Sequence, residues 1–185
     1  YRENIAEAQT EIGEGAPSVN KIRMAFNHPL YIEASVDRVR DAMNQITESR
    51  RDSIRFVFTA HSIPMSMAEG CKYSTQLTEA CRLIMEGIGD QPWDLVYQSR
   101  SGPPMQPWLD PDVCDHLRTI KETDDVSEVV IMPVGFVSDH MEVLFDLDTE
   151  AKEVCDELGI EMARAKSVGI LPSFIKMIRE LILER

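Results

Sequence analysis

A lone histidine and a row of carboxylates are the residues of this chain whose types and spacing allow chemistry. His61 closes the apolar run from Ile54 to Ala60 and is followed by Ser62-Ile63-Pro64. Its ordinary pKa of about 6.5 lets a neutral ring accept a proton or bind a metal near neutral pH. A second apolar run, Val129 to Val134, precedes Asp139, Glu142, Asp146 and Glu150. On a wheel of about 100° per residue these four share one stripe with Glu153 and Glu157, while Leu144, Leu147, Ala151, Val154 and Leu158 take another side. Two readings of the stripe stay open. Asp139 and Glu142 have the Asp-x-x-Glu spacing of a capping box at a helix N-terminus, and the rest can be a solvated face. Yet no Lys or Arg stands between Asp139 and Ala151 to offset the repulsion. Oxygen ligands at i and i+4 suit a divalent cation that keeps several waters. His140, two residues before Glu142, points elsewhere on a helix and takes a supporting role; His-x-Glu is not the His-Glu-x-x-His zinc motif.

Strands and helices must alternate to bring these two segments together. Arg2 to Glu14 reads as a charged helix, and Lys21 to Phe26 alternates like a short strand. Asn27-His28-Pro29 opens a helix with Ile32, Val36, Val39 and Met43 at helical spacing. The strand Ile54 to Ala60, a loop from Ser62 to Gly70, a helix from Gln76 to Gly87 and the strand Leu95 to Tyr97 follow. Ser99 to Pro111 holds Gly102, Pro103, Pro104, Pro107 and Pro111, which suits a loop and no regular element. A short helix from Asp112 to Lys121, the strand Val129 to Val134, a long helix from Asp139, a strand from Glu161 to Ala165 and a helix from Ser173 complete the order. The fold class is α/β, with a parallel sheet joined by right-handed crossovers. In such a sheet the turns after the strands share one edge, where ligands gather. Gln98, Ser99 and Arg100 land on that edge beside His61, with Trp108 in the proline-rich loop. Trp108 either plugs the core or stacks on a flat ligand, Arg100 suits an anionic substituent, and Tyr73 has the same ambiguity as Trp108.

With 43% hydrophobic and 28% charged residues, the 185-residue chain has the apolar content of one globular domain. Its 32 acidic and 19 basic residues leave a formal charge of -13, which repels nucleic acid and anionic membranes and draws in cations. No apolar run nears the ~20 residues needed to span a bilayer, so membrane association is peripheral at most. Cys71, Cys81, Cys114 and Cys155 form no C-x-x-C pair. Free thiols in a reducing cytoplasm are the expectation. The chain starts at Tyr1 and not at Met, and a charged helix-like stretch from Arg2 to Glu14 stands before its first strand, which hints at a piece cut from a longer chain.

Four stretches carry a resemblance: Ala60-His61-Ser62-Ile63-Pro64, Tyr97-Gln98-Ser99-Arg100-Ser101-Gly102-Pro103, Pro107-Trp108-Leu109, and Pro133-Val134-Gly135-Phe136-Val137-Ser138-Asp139-His140-Met141-Glu142-Val143-Leu144. In sequence and order they resemble the C-terminal part of ferrochelatases, which insert ferrous iron into a porphyrin in haem synthesis. The resemblance implies a chelatase-type, Rossmann-like C-terminal domain over residues 21–185, with residues 1–20 a helix carried over from the preceding half and the family's N-terminal domain missing. It implies that His61 is the active-site histidine and Glu142 the carboxylate facing it across the macrocycle, with Asp146 and Glu150 leading outward as metal or proton conduit. Gln98, Ser99 and Trp108 match residues around the porphyrin pocket, which Tyr73 and Arg100 extend. Ferrous iron is then a substrate, protoporphyrin or coproporphyrin the other, and no cofactor is required. A [2Fe-2S] cluster is not expected, because the C-terminal cysteines that hold one in some members of the family have no counterpart before Arg185. The alternatives are a non-catalytic metal- or tetrapyrrole-binding domain, and a related cobalt chelatase, for which His140 is the only second histidine nearby.

Overall fold

Strand pairing is parallel at every step, as the alternation of elements predicts. The computed structural model describes residues 2–103 and 105–184, so Pro104 of the proline-rich loop lies outside it. Its helices are α1 (Arg2–Ile12), α2 (Pro29–Met43), α3 (Met65–Glu69), α4 (Tyr73–Ile88), α5 (Val113–Asp124), α6 (Met141–Phe145), α7 (Lys152–Leu158) and α8 (Pro172–Leu183). The described strands β1 (Arg55–His61), β2 (Trp93–Gln98), β3 (Glu128–Met132) and β4 (Glu161–Arg164) lie in the order β2-β1-β3-β4. The register sets His61 opposite Gln98, Phe58 opposite Met132 and Ile131 opposite Arg164. β3 is buried along its whole length, with strands on both sides and helices over both faces, which is why it reads as an unbroken apolar run.

α2, α4 and α8 cover one face around Phe56, Phe58, Val130 and Met132. α5, α6, α7 and the π-helical turn Asp146–Ala151 between the last two cover the other, around Val57, Val96, Val129 and Ile131. The first crossover, β1 to β2, therefore runs over one face, and the next two run over the opposite one. The winding reverses between β1 and β3, and the crevice of a doubly wound sheet opens at that reversal. His61 ends β1, and the loop after β3 leads into α6 and Glu142, so both borders of the crevice carry a candidate residue.

His28 caps α2: its Nδ1 accepts the Leu30 N–H at 3.2 Å while Pro29 fixes the first helical φ. The strand expected over Lys21 to Phe26 does not form. Ile22 and Met24 are exposed, and the segment pairs with no strand. Its apolar residues line a cavity of about 400 Å³ with Phe174, Met177 and Ile178 of α8. The alternation is spent against a helix face instead of a ladder. The loop expected from Ser62 to Gly70 contains α3, and the helix expected from Gln76 begins three residues earlier, at Tyr73.

Candidate active site

On the β1 side, the backbone around His61 is tied down from three directions. Ser62 N–H donates to the Gln98 carbonyl at 2.8 Å, Ser62 Oγ to the Leu109 carbonyl at 2.7 Å, and the Tyr73 hydroxyl to the His61 carbonyl at 3.0 Å. Burial, with Tyr97 and Cys71 nearby, pushes the Tyr73 phenol up to about 12, so it stays a neutral donor. Tyr73 thus steadies the histidine's backbone. His61 Nδ1 bonds the Ser62 carbonyl, which can only accept, so the neutral ring carries its proton on Nδ1 and a lone pair on Nε2. That lone pair faces Glu142: Nε2 and Oε1 are 3.7 Å apart, with both side chains more than a third exposed. The gap exceeds a direct hydrogen bond. Two acceptors confront each other across a gap that admits a proton or a bare metal ion but no porphyrin ring, so His61 and Glu142 stand on one side of the macrocycle and do not face each other across it as expected.

On the β3 side, Gly135 brings the chain close to β1. Its N–H donates to the Thr59 carbonyl at 3.0 Å, and a Cβ there would stand 2.6 Å from Ala60 Cβ and 2.8 Å from Ala60 Cα. Glu142 then enters at the start of α6. The expected capping box is not made: α6 begins at Met141 after His140, whose side chain makes no cap bond. Asp139 accepts instead from the Ser167 N–H and from Arg164 Nη1, both at 3.0 Å, because a guanidinium at the end of β4 outcompetes the helix amides. Burial opposes ionisation of Asp139, but these two donors outweigh it and hold the carboxyl below the usual aspartate range. The His140 ring packs edge-on against Phe136, 5.2 Å between centroids.

The π turn decides the line of the carboxylates. In an α-helix, four steps of about 100° overshoot a full turn by about 40°, so an i, i+4 series spirals away. The slower winding of Asp146–Ala151 keeps Val143, Leu147, Ala151 and Cys155 in one buried stripe, and Glu142, Asp146 and Glu150, each one residue earlier, in a line beside it. Leu144, expected on the apolar side, is therefore exposed, and Val143 is buried in its place. Burial raises Glu150, with Asp146, Asp112 and Glu153 adding to the effect, so this carboxyl holds its proton more tightly than usual. Asp112 belongs to the N-cap of α5, which makes it an outer neighbour of the row that sequence reading missed.

Gln98 and Ser99 serve this row directly. Gln98 Nε2 donates to Asp146 Oδ2 at 3.0 Å, and Ser99 Oγ donates to the same oxygen. Ser99 has a φ of 63°, a left-handed conformation that non-glycine residues seldom adopt, and its bond to Asp146 helps to hold it there. The Gln98 amide is buried, and its Oε1 has no hydrogen-bond partner among the described residues. Trp108 pairs its backbone with Pro64, so the proline-rich loop is laced to the turn after His61. Its buried Nε1 has no hydrogen-bond partner among the described residues and sits against Gly102, where a Cβ would come within 2.2 Å. Arg100 bonds the Gln106 carbonyl at 3.2 Å and lines a cavity of about 320 Å³ with Tyr97, Leu109 and Asp112. Among the described residues, no three His, Cys, Asp or Glu side chains converge as a metal cage. The four candidate ligands form a spaced series, His61 against Glu142, then Asp146 on Gln98 and Ser99, then Glu150 at the outer end.

Comparisons with known proteins bear on the family of this chain. A family model described as ferrochelatase matches residues 1–185. A ferrochelatase of Rhodopirellula baltica is 55% identical over the whole chain, which covers 52% of that relative. Coproporphyrin III ferrochelatases of Nocardia farcinica and Streptomyces coelicolor are 46% and 43% identical, again over all of the chain and 54% of their own length. The chain spans about half the length of the curated relatives it matches. Matched from end to end by the family model, with a histidine and a carboxylate facing each other at the reversal of its sheet, the chain belongs to the ferrochelatase family.

Proposed function

We propose that this chain forms the metal-inserting side of a ferrochelatase and acts on protoporphyrin IX or coproporphyrin III. The observation that carries this reading is the slot between His61 Nε2 and Glu142 Oε1, 3.7 Å across, with Asp146 fixed behind it. Inserting a divalent ion expels two pyrrole protons while the ion sheds its waters, so the site needs acceptors and graded oxygen ligands. His61 accepts a proton at Nε2, Glu142 accepts or relays the second, and Asp146 and Glu150 conduct metal or protons outward. Trp108 and Arg100 border the porphyrin, and Tyr73, Gln98 and Ser99 keep His61 and Asp146 in place. Ferrous iron is a substrate, and the mechanism calls on no resident cofactor. The far side of the macrocycle belongs to the N-terminal half that relatives of twice this length possess. No described helix is long and apolar enough to cross a membrane; four cysteines that stand as free thiols support a reducing, cytoplasmic site of action.

The test is metal insertion by the protein at its natural length. Ferrous iron under anaerobic conditions, or zinc, is supplied with each porphyrin, and the metalloporphyrin is followed by absorbance. The wild type inserts metal, and His61→Ala and Glu142→Gln each lower the rate by about 10²- to 10⁴-fold with unchanged thermal unfolding. Porphyrin and metal binding with no insertion by the wild type replaces this reading with that of a carrier. The seat of His140 on Phe136 weighs against the cobalt chelatase alternative, whose chemistry wants a second histidine at the metal.

A further inference from the structure

Arg164 ends β4 and takes no part in the slot, yet its guanidinium joins two separate pieces of the carboxylate-bearing segment. Nη1 donates to Asp139 Oδ1 at 3.0 Å, in the loop before α6. Nη2 donates to Asp148 Oδ2 at 3.1 Å and Nε to Asp148 Oδ1, both within the π turn. The side chain is only 12% exposed, so this is a half-buried fork and not a loose surface pair. Its two carboxylate partners bracket the stretch that carries Glu142 and Asp146. Two further bonds join the same loops: Ser167 N–H to Asp139 Oδ1 at 3.0 Å and Gly169 N–H to the Val137 carbonyl at 2.9 Å.

We propose that Arg164 is a positioning residue that clamps the π turn and so sets the spacing of the Glu142, Asp146 and Glu150 row; its bearing on metal insertion rests on the function proposed above. A π turn holds one residue more than an α-helical turn, and tightening it would rotate one flank against the other by about 100°. That rotation carries Asp146 away from Gln98 and Ser99, or Glu142 away from His61. Asp148 is bonded to a side chain rooted in the sheet, which does not turn with the helix, so the clamp resists the slip. Only a fork can do this. A lysine ammonium reaches one of the two carboxylates, whereas the guanidinium presents donors to both in a fixed plane.

The test uses Arg164→Met and Asp148→Asn in the protein at its natural length. Amide hydrogen exchange is measured over residues 142–151, and insertion kinetics are measured with metal and porphyrin varied in turn. The clamp predicts faster exchange confined to that segment, a metal KM raised by about 10- to 100-fold, and an unchanged porphyrin KM. Exchange equal to the wild type, or a loss shared by both substrates in step with lost folded protein, overturns it. If Arg164→Met does not fold, Asp148→Asn decides alone, because Asp148 is 39% exposed and its neutral amide leaves the Arg164 pair with Asp139 intact. If the wild type inserts no metal, the proposed function is what has failed. The exchange pattern then judges the clamp: selective loosening of the turn sustains it, and no loosening refutes it.

Discussion

Two carboxylates eleven residues apart, Asp139 and Glu150, titrate in opposite directions, and the contrast separates structure from chemistry. Asp139 is held below its ordinary value, chiefly by Ser167 and Arg164 working against burial. Its contribution to stability is present above the unfolded pKa and is lost as pH falls through the lower folded value. Asp139→Asn therefore destabilises the fold at pH 7, by about 1–3 kcal/mol for a bond to a charged partner, and the difference from wild type narrows on acidification. Glu150 is raised by burial and by Asp146, Asp112 and Glu153. A raised carboxyl favours the fold while protonated, and that advantage is lost as pH rises through the folded value. Glu150→Gln is accordingly expected to raise the melting temperature slightly at pH 7, with the gain gone below the glutamate range. Thermal unfolding across pH 3 to 8 reads both slopes, and parallel curves for the two variants would contradict this assignment. Asp139 was legible as a residue with a task, but its partner was not. An Asp-x-x-Glu spacing says capping box, and nothing local in sequence announces that Arg164, 25 positions later, competes for the carboxylate.

At the level of elements, the close approach of the loop after β3 to β1 is what sets the width of the slot. A methyl group on Gly135 would meet Ala60 at Cα as well as Cβ, and the backbone next to His61 has no room to retreat. Gly135→Ala should destabilise by about 1–3 kcal/mol, as overpacking does, measured by denaturant unfolding, and should also lower insertion by moving His61 relative to Glu142. Stability and insertion both at wild-type levels would show that the two strands do not set the slot. The strand ends were readable because buried parallel strands are written as apolar runs, which placed His61 and Glu142 on one edge before any coordinates. Lys21 to Phe26 shows where that signal fails: Ile22 and Met24 alternate with basic residues as in a strand, yet both stay exposed at the mouth of a cavity against α8 and the backbone finds no ladder. The π turn was invisible for a related reason. Wheel positions assume one winding throughout, and Leu144 and Val143 exchange places when six residues wind more slowly.

Over the whole molecule, the formal charge of -13 acts on the two proposed substrates with opposite sign. A divalent cation is drawn toward the acidic surface and an anionic porphyrin is repelled, and added salt screens both within a Debye length of about 8 Å at physiological strength. Raising ionic strength should therefore raise the metal KM and lower the porphyrin KM. A common direction for both would mean that net charge does not govern their approach. The order of the strands has a further consequence for assembly. β4, at one rim, is four residues long and carries Glu161 and Arg164, each already engaged, the former by Arg50 at 2.5 Å. At the other rim, the outer side of β2 is met by the proline-rich loop through the bridge between Tyr97 and Asp112. Neither border offers a long, flat template for a foreign strand. Whatever joins this unit, be it another copy or the remainder of a longer polypeptide, has to dock through loops and side chains, so the crevice can be roofed over without the sheet being extended.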